Sequence, residues 1–192
     1  MALTRLGPNT VNLTSAVTGT LPTANGGTGA TSFAPGKVLQ VQETAKLDGT
    51  AVSVTAASFT DVSGLSVSIT PSATSSKILC MAFVNGSQNV ATAGAMFSLF
   101  RDSTEILRGD ASGVRQRATG SMNSYTNQYI NGNTPVVLDE PSSTSALTYK
   151  VAVTADASTN VFINSTSGDV NNQSYIRGAS SIVVMEIAGW FM

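Results

Sequence analysis

The side chains that most often carry enzyme chemistry are thinly represented in this chain. There is no histidine, which removes Ser-His-acid and Cys-His relays, imidazole metal ligands and the usual general base near neutral pH. The single cysteine, Cys80, lies in the apolar run Ile78-Leu79-Cys80-Met81-Ala82. It cannot form an internal disulfide or a Cys-rich zinc site, and is expected to pack as a small buried hydrophobe. Asp61, Asp102, Asp110, Asp139, Asp156 and Asp169 are scattered and lack the spacing of a calcium loop. Asp139-Glu140 is the pair that suggests glycoside hydrolysis, but neighbours along a strand point to opposite faces, so a solvated strand end before Pro141 is the expected reading. Gly26-Gly27-Thr28-Gly29 lacks the following lysine and the strand-to-helix setting of a phosphate loop. The expectation is a protein that is no enzyme and has neither cofactor nor metal.

Binding chemistry is better represented. Arg108 to Asn133 (RGDASGVRQRATGSMNSYTNQYINGN) is long for a connection within a compact domain and dense in polar and aromatic residues. Tyr125 and Tyr129 are suited to stacking on sugar rings. Asn123, Asn127, Gln128 and Asn131 offer hydrogen bonds to hydroxyls, and Arg115 and Arg117 suit acidic groups. The same residues admit a structural reading, in which the tyrosines pack at a subunit interface and the arginines pair with Asp102, Glu105 or Asp110. The closing Gly189-Trp190-Phe191-Met192 is costly to leave in water. Trp190 and Phe191 are expected to be buried, at a core strand end or around an oligomer axis. Asn-x-Ser/Thr triplets at Asn12, Asn85, Asn164 and Asn172 follow from composition and carry no glycosylation signal.

Such loops need a scaffold, and the pattern after Gly36 is that of an all-β domain: short β-branched runs of period two, separated by Ser, Asn, Asp and Gly. Strands are expected at Lys37 to Thr44, with Val38, Leu39 and Val41 meeting neighbouring surfaces, and at Ala51 to Thr55. Another runs from Leu65 to Ile69, with Leu65, Val67 and Ile69 on one face. Lys77 to Val84 is nearly all apolar and reads as a central strand covered on both faces, or on one face plus a subunit contact. Ala95 to Arg101 and Thr104 to Arg108 flank Asp102-Ser103 as a hairpin. Pro135 to Leu138, Leu147 to Val153, Val161 to Asn164 and Ser181 to Ile187 complete a set suited to an antiparallel β-sandwich or jelly roll. The head thus spans residues 36–192.

Residues 1–35 read differently. They are rich in Gly, Pro, Thr and Asn, with too few apolar residues to close a core alone. Leu3, Leu6, Val11, Leu13, Val17 and Leu21 suit an extended arm lying on another chain. Gly26, Gly27 and Gly29 permit close backbone approach near an axis, while Pro22 and Pro35 restrict the path. Across all 192 residues only 11% are charged and the net charge is −1. No basic footprint exists for nucleic acid or anionic lipid, and near-neutrality favours self-association. No leader is expected at Met1 to Thr10, and no apolar run approaches the roughly 18 residues of a membrane helix.

Gly19 to Thr31 (GTLPTANGGTGAT) closely resembles the Gly-Thr-Leu-Pro-x-Ala-Asn-Gly-Gly-Thr-Gly-Ala-Thr stretch of many bacteriophage tail-fibre and virion-appendage proteins. Ser75 to Leu79, Phe100 to Thr104, Tyr149 to Val151 and Ser180 to Ile187 are similar to C-terminal domains of marine and cyanobacterial phage proteins of that kind. The resemblance implies a homotrimeric appendage with a jelly-roll head of the tumour-necrosis-factor type. It would be made in the bacterial host cytoplasm and carried on the virion. The arm would dock to tail, baseplate or capsid, and the head would meet a host-surface glycan. A capsid decoration, cement or head-fibre protein that touches no receptor is the alternative.

Overall fold

The structure is a computed structural model that describes residues 38–88, 94–123 and 128–189. The expected arm and the residues Tyr125, Asn127, Trp190 and Phe191 lie outside them. In chain order the strands are β1 (Val38–Lys46), β2 (Thr50–Val54), β3 (Thr60–Ile69), β4 (Lys77–Gln88), β5 (Ala95–Arg101) and β6 (Thr104–Leu107). They continue with β7 (Gly120–Ser121), β8 (Asn131–Asn133), β9 (Val136–Asp139), β10 (Leu147–Ala155), β11 (Thr159–Ile163) and β12 (Ser180–Ile187). Every expected strand is present among them. The sequence reading missed only the two- and three-residue strands β7 and β8, which lack the length to show alternation.

All pairings are antiparallel and form two sheets. The larger runs β1-β12-β4-β11-β2, with β8 and β9 also on β4; the smaller runs β3-β10-β5-β6, with β7 on β5. β4 is long enough to hold β12 and β9 along its first half and β11 and β8 along its second. Its Ile78, Cys80, Ala82 and Val84 join Ile182 and Val184 of β12, and Phe97, Leu99, Tyr149, Val151 and Val153 of the smaller sheet, in one core. The result is an all-β, sandwich-like arrangement in which each sheet buries one face against the other. Cys80 is fully buried as expected, and burial pushes its thiol up to about 12, with the charge of Asp139 adding to the effect.

Strand phase explains β3. Leu65, Val67 and Ile69 are buried while Ser66 and Ser68 are exposed, which is the expected alternation. Val62 is buried too, although three residues from Leu65 it falls on the opposite face of a regular strand. A register shift against β10 lies between the pairs Lys150–Ser66 and Ala152–Asp61, and within it Gly64 has a φ of 78°. This bulge resets the phase so that Val62 and Leu65 both point inward. The β5–β6 turn is tight, Arg101 facing Thr104, with Asp102 at a φ of 51°. Its strain is offset by Thr148, whose N–H donates to Asp102 Oδ1 at 3.0 Å and whose carbonyl accepts from the Asp102 N–H at 2.7 Å.

Of the two readings offered for β4, cover on both faces does not hold along its first half: from Lys77 to Phe83 one face is buried in the core, while on the other Leu79 and Met81 are half-buried and Phe83 is 44% exposed. Val38, Leu39 and Val41 are not covered by neighbouring strands and remain exposed. Both sets of side chains lie on the outer side of the larger sheet, where no described strand supplies a second layer.

Candidate functional site

The carboxylate pair does split across the sheet. Glu140 is exposed and meets Lys77 Nζ at 2.5 Å, whereas Asp139 turns inward. It is not the solvated strand end expected for both residues. Arg101 Nη1 donates to its two oxygens at 2.7 and 2.6 Å, and the buried Tyr149 hydroxyl donates at 2.6 Å. Burial raises the Tyr149 pKa, and the Asp139 carboxylate raises it further, so the phenol stays a donor. The triad ties β9 to β5 and β10 across the two sheets. Both Asp139 oxygens are occupied by protein, so neither is presented to a substrate. Asp139→Asn is expected to cost about 2 kcal/mol, since it leaves a partly buried guanidinium short of its counter-charge, and Tyr149→Phe about 1 kcal/mol. Urea unfolding of the two variants measures both.

The segment from Arg108 to Asn133 is not one loop. Its first part closes against the smaller sheet: Thr119 Oγ1 donates to the Leu107 carbonyl at 2.5 Å, and β7 pairs with β5. Met122, fully buried, marks the crossing, and β8 then pairs with β4 in the larger sheet. The predicted contact residues are divided accordingly. Arg117 Nε donates to the Gly109 carbonyl at 2.7 Å and Arg115 Nη1 to Ser112 Oγ at 2.5 Å. Neither pairs with Asp102, Glu105 or Asp110; it is Arg108 that meets Glu105, at 3.1 Å. Asn131 spends its amide on the Asn123 carbonyl, within the segment. Tyr129, two residues before β8, is 54% exposed.

Next to Tyr129 the structure reveals a surface that sequence reasoning passed over. Ile130 Cδ1 packs so closely on Gly178 that a Cβ there would lie 2.7 Å from it. This places β8 against the β11–β12 connection. That connection forms a cleft of about 240 Å³ lined by Asp169, Val170, Asn171, Asn172, Tyr175, Ile176 and Arg177. Arg177 Nη2 meets Asp169 at 2.7 Å across it. The run from Asn164 to Ala179 has the same polar and aromatic composition and excess length that singled out Arg108 to Asn133, so loop length was the available signal. A second, shallower depression of about 610 Å³ lies between β3, β10 and the β5–β6 turn, where Lys150 meets Asp61 at 2.6 Å. Among the described residues, no group of three or more Cys, Asp or Glu is arranged to hold a metal ion.

The cleft is held from beneath by a buried polar cluster. Asn164 follows β11 at a φ of 59° and is fully buried. Its Nδ2 donates to the carbonyls of Lys46 at 2.8 Å and Asp48 at 3.2 Å, and its Oδ1 accepts from Ser180 Oγ at 2.6 Å. Its backbone carbonyl accepts from Gly178 N–H at 2.9 Å. Asn85 Nδ2 donates a further hydrogen bond to the Ala179 carbonyl at 2.6 Å. The cleft's C-terminal side is therefore anchored to three strands of the larger sheet.

No protein-family model and no curated protein sequence matches the chain. Among solved structures it is similar to a chain of the T13 IBDV viral particle, with a TM-score of 0.42 at 12% identity over 83% of this chain. It is also similar to VP2 in the subviral particle of infectious bursal disease virus, with a TM-score of 0.32 at 12% identity over 78% of this chain. The chain spans 38% and 37% of the length of those two proteins.

Proposed function

We propose that this chain is a structural component of a virus particle, a homotrimeric bacteriophage tail fibre or appendage. Residues 1–35 dock it to other virion proteins, and the β-sandwich presents its loops to a glycan on the host surface. The observation that carries the reading is the segment Gly19 to Thr31 (GTLPTANGGTGAT), whose order of residues resembles a stretch of phage appendage proteins. Two features support it. The chain has no histidine and a nearly neutral, sparsely charged composition, which suits work by contact more than by bond-breaking. Tyr129 and the Asp169–Arg177 cleft with Tyr175 supply an exposed ring, an ion pair and amides, the groups that recognise sugar rings and hydroxyls.

The test has two parts. Antibody against the chain, applied to intact particles in electron microscopy, is expected to decorate an appendage; labelling confined to the shell lattice would replace the reading with capsid decoration. Purified full-length protein is expected to adsorb to host cells and compete with infection, and Tyr175→Ala with Tyr129→Ala is expected to weaken adsorption about tenfold or more, the loss of one or two stacking contacts. Adsorption unchanged by both substitutions would remove these loops from the contact.

A further inference from the structure

We infer that the outer face of the larger sheet, across β1, β12, β4 and β9, is the surface by which one copy of this chain packs against another. The inference rests on the oligomeric reading above and names the surface that would carry it.

Register builds the face. Directly paired residues of neighbouring strands share a side of the sheet. One row runs Val41, Met185, Leu79, Leu138 across the four strands, and the next runs Glu43, Val183, Met81, Val136. Val184 and Cys80 between these rows, and Glu186 and Ile78 on the far side of the first, are buried, so the two rows point outward. Phe83 extends the patch along β4. Val41, Val136 and Leu138 are each about half exposed, at 51%, 52% and 50%. Most outer faces of antiparallel sheets alternate to polar residues in such a place.

Size and charge select the occupant. The patch spans four neighbouring strands, about 15 Å at their usual spacing, with Val41, Phe83, Val136 and Leu138 each about half exposed around the half-buried Leu79, Met81, Val183 and Met185. A contiguous apolar surface of that kind marks a protein contact. The two rows hold seven apolar residues and one carboxylate, Glu43, with no lysine or arginine; the Lys77–Glu140 ion pair lies at the margin. An apolar centre with a charged margin is the anatomy of a protein interface. A nucleic acid or an acidic polysaccharide would find no cation there, whereas a second copy presents the same neutral face and the same need to cover it.

Sedimentation of the full chain tests this. The wild type is expected to be an oligomer. Val136→Lys with Leu138→Lys adds two charges at positions already half in water, so the fold, read by far-ultraviolet circular dichroism, is expected to persist while association weakens about 100-fold or more. Val114→Lys, at a fully exposed position off this face, is expected to leave association unchanged. A double variant that stays as oligomeric as the wild type overturns the surface assigned here and leaves the oligomeric reading standing. A monomeric wild type overturns both, and if Met81 and Met185 then resist oxidation, the chain's own N-terminal arm is what covers the face. Should the double variant fail to fold, oxidative labelling of wild-type Met81, Met185 and Phe83 decides: labelling that rises on dilution into monomer supports the proposal, and labelling independent of concentration overturns it.

Discussion

Asn164→Ala is expected to lower stability by about 3–5 kcal/mol and the melting temperature by roughly 10 °C or more, although it removes only a few atoms. The side chain is fully buried and each of its polar groups is used. Alanine would leave the carbonyls of Lys46 and Asp48 without this donor and the Ser180 hydroxyl without its acceptor, in a place water does not reach. It would also hold a β-carbon at a φ of 59°, which asparagine tolerates better than most residues. Two further variants separate the contributions. Asn164→Gly keeps the backbone without strain but loses the bonds, and is expected to recover about 1 kcal/mol relative to alanine. Asn164→Asp keeps the acceptor for Ser180 but sets a carboxylate against two carbonyls, and is expected to be at least as damaging as alanine. Calorimetry on the four proteins measures the order, and an alanine variant that melts with the wild type would show that the cluster contributes nothing net.

The second large effect is at Glu186, and it depends on pH. The residue is 1% exposed on β12, yet its surroundings favour the carboxylate over the acid. Burial by itself raises its pKa, but hydrogen bonds from Ser72, Ser76 and Gln40 outweigh that and bring it from 4.5 down to about 2. Its Oε1 accepts from Ser72 N–H at 2.7 Å and from the hydroxyls of Ser72 and Ser76 at 2.6 Å, and its Oε2 accepts from Gln40 Nε2 at 2.7 Å. These bonds clamp the crossover from β3 to β4 onto β12 and its neighbour β1. Glu186→Gln presents an amide N–H₂ to a site made only of donors, and is expected to cost about 2–4 kcal/mol at pH 7. Because the folded pKa lies below the unfolded one, the unfolded chain binds more protons as the pH falls between them. The stabilisation from ionised Glu186 is therefore complete above about pH 4.5 and is lost as the pH drops through about 2. Urea midpoints of wild type and Glu186→Gln are expected to differ fully at pH 7 and to converge toward pH 2. A gap that stays constant down to pH 2 would show that the carboxylate's charge is not what the clamp uses.

Much of the scaffold was readable in residue order alone. Ten strands follow from alternation and from β-branched runs, because a half-buried strand has no other way to satisfy both core and water. The inward row of β3, the β5–β6 hairpin and the buried thiol of Cys80 are local consequences of side-chain type and need no knowledge of which strands pair. The separation of Asp139 from Glu140 came from the same geometry, although the inward partner proved to be bonded and not solvated.

What the sequence could not supply were outcomes of pairing between distant segments. Asn164 belongs to an Asn-x-Ser/Thr triplet like three others, and only the meeting of β11 with the β1–β2 turn and the start of β12 makes it a hub. Glu186 reads as the one charge in an apolar strand, and its three side-chain partners come from residues more than a hundred positions away. The division of Arg115 and Arg117 from Tyr129, the cleft at Asp169 to Arg177 and the uncovered rows outside β4 and β12 likewise depend on which strands become neighbours and in what register. Local propensity and period decide whether a segment extends and which of its faces is apolar. Whether that face meets a second sheet, a buried partner or water is decided when the whole chain closes, since it is a property of contacts between residues far apart in order.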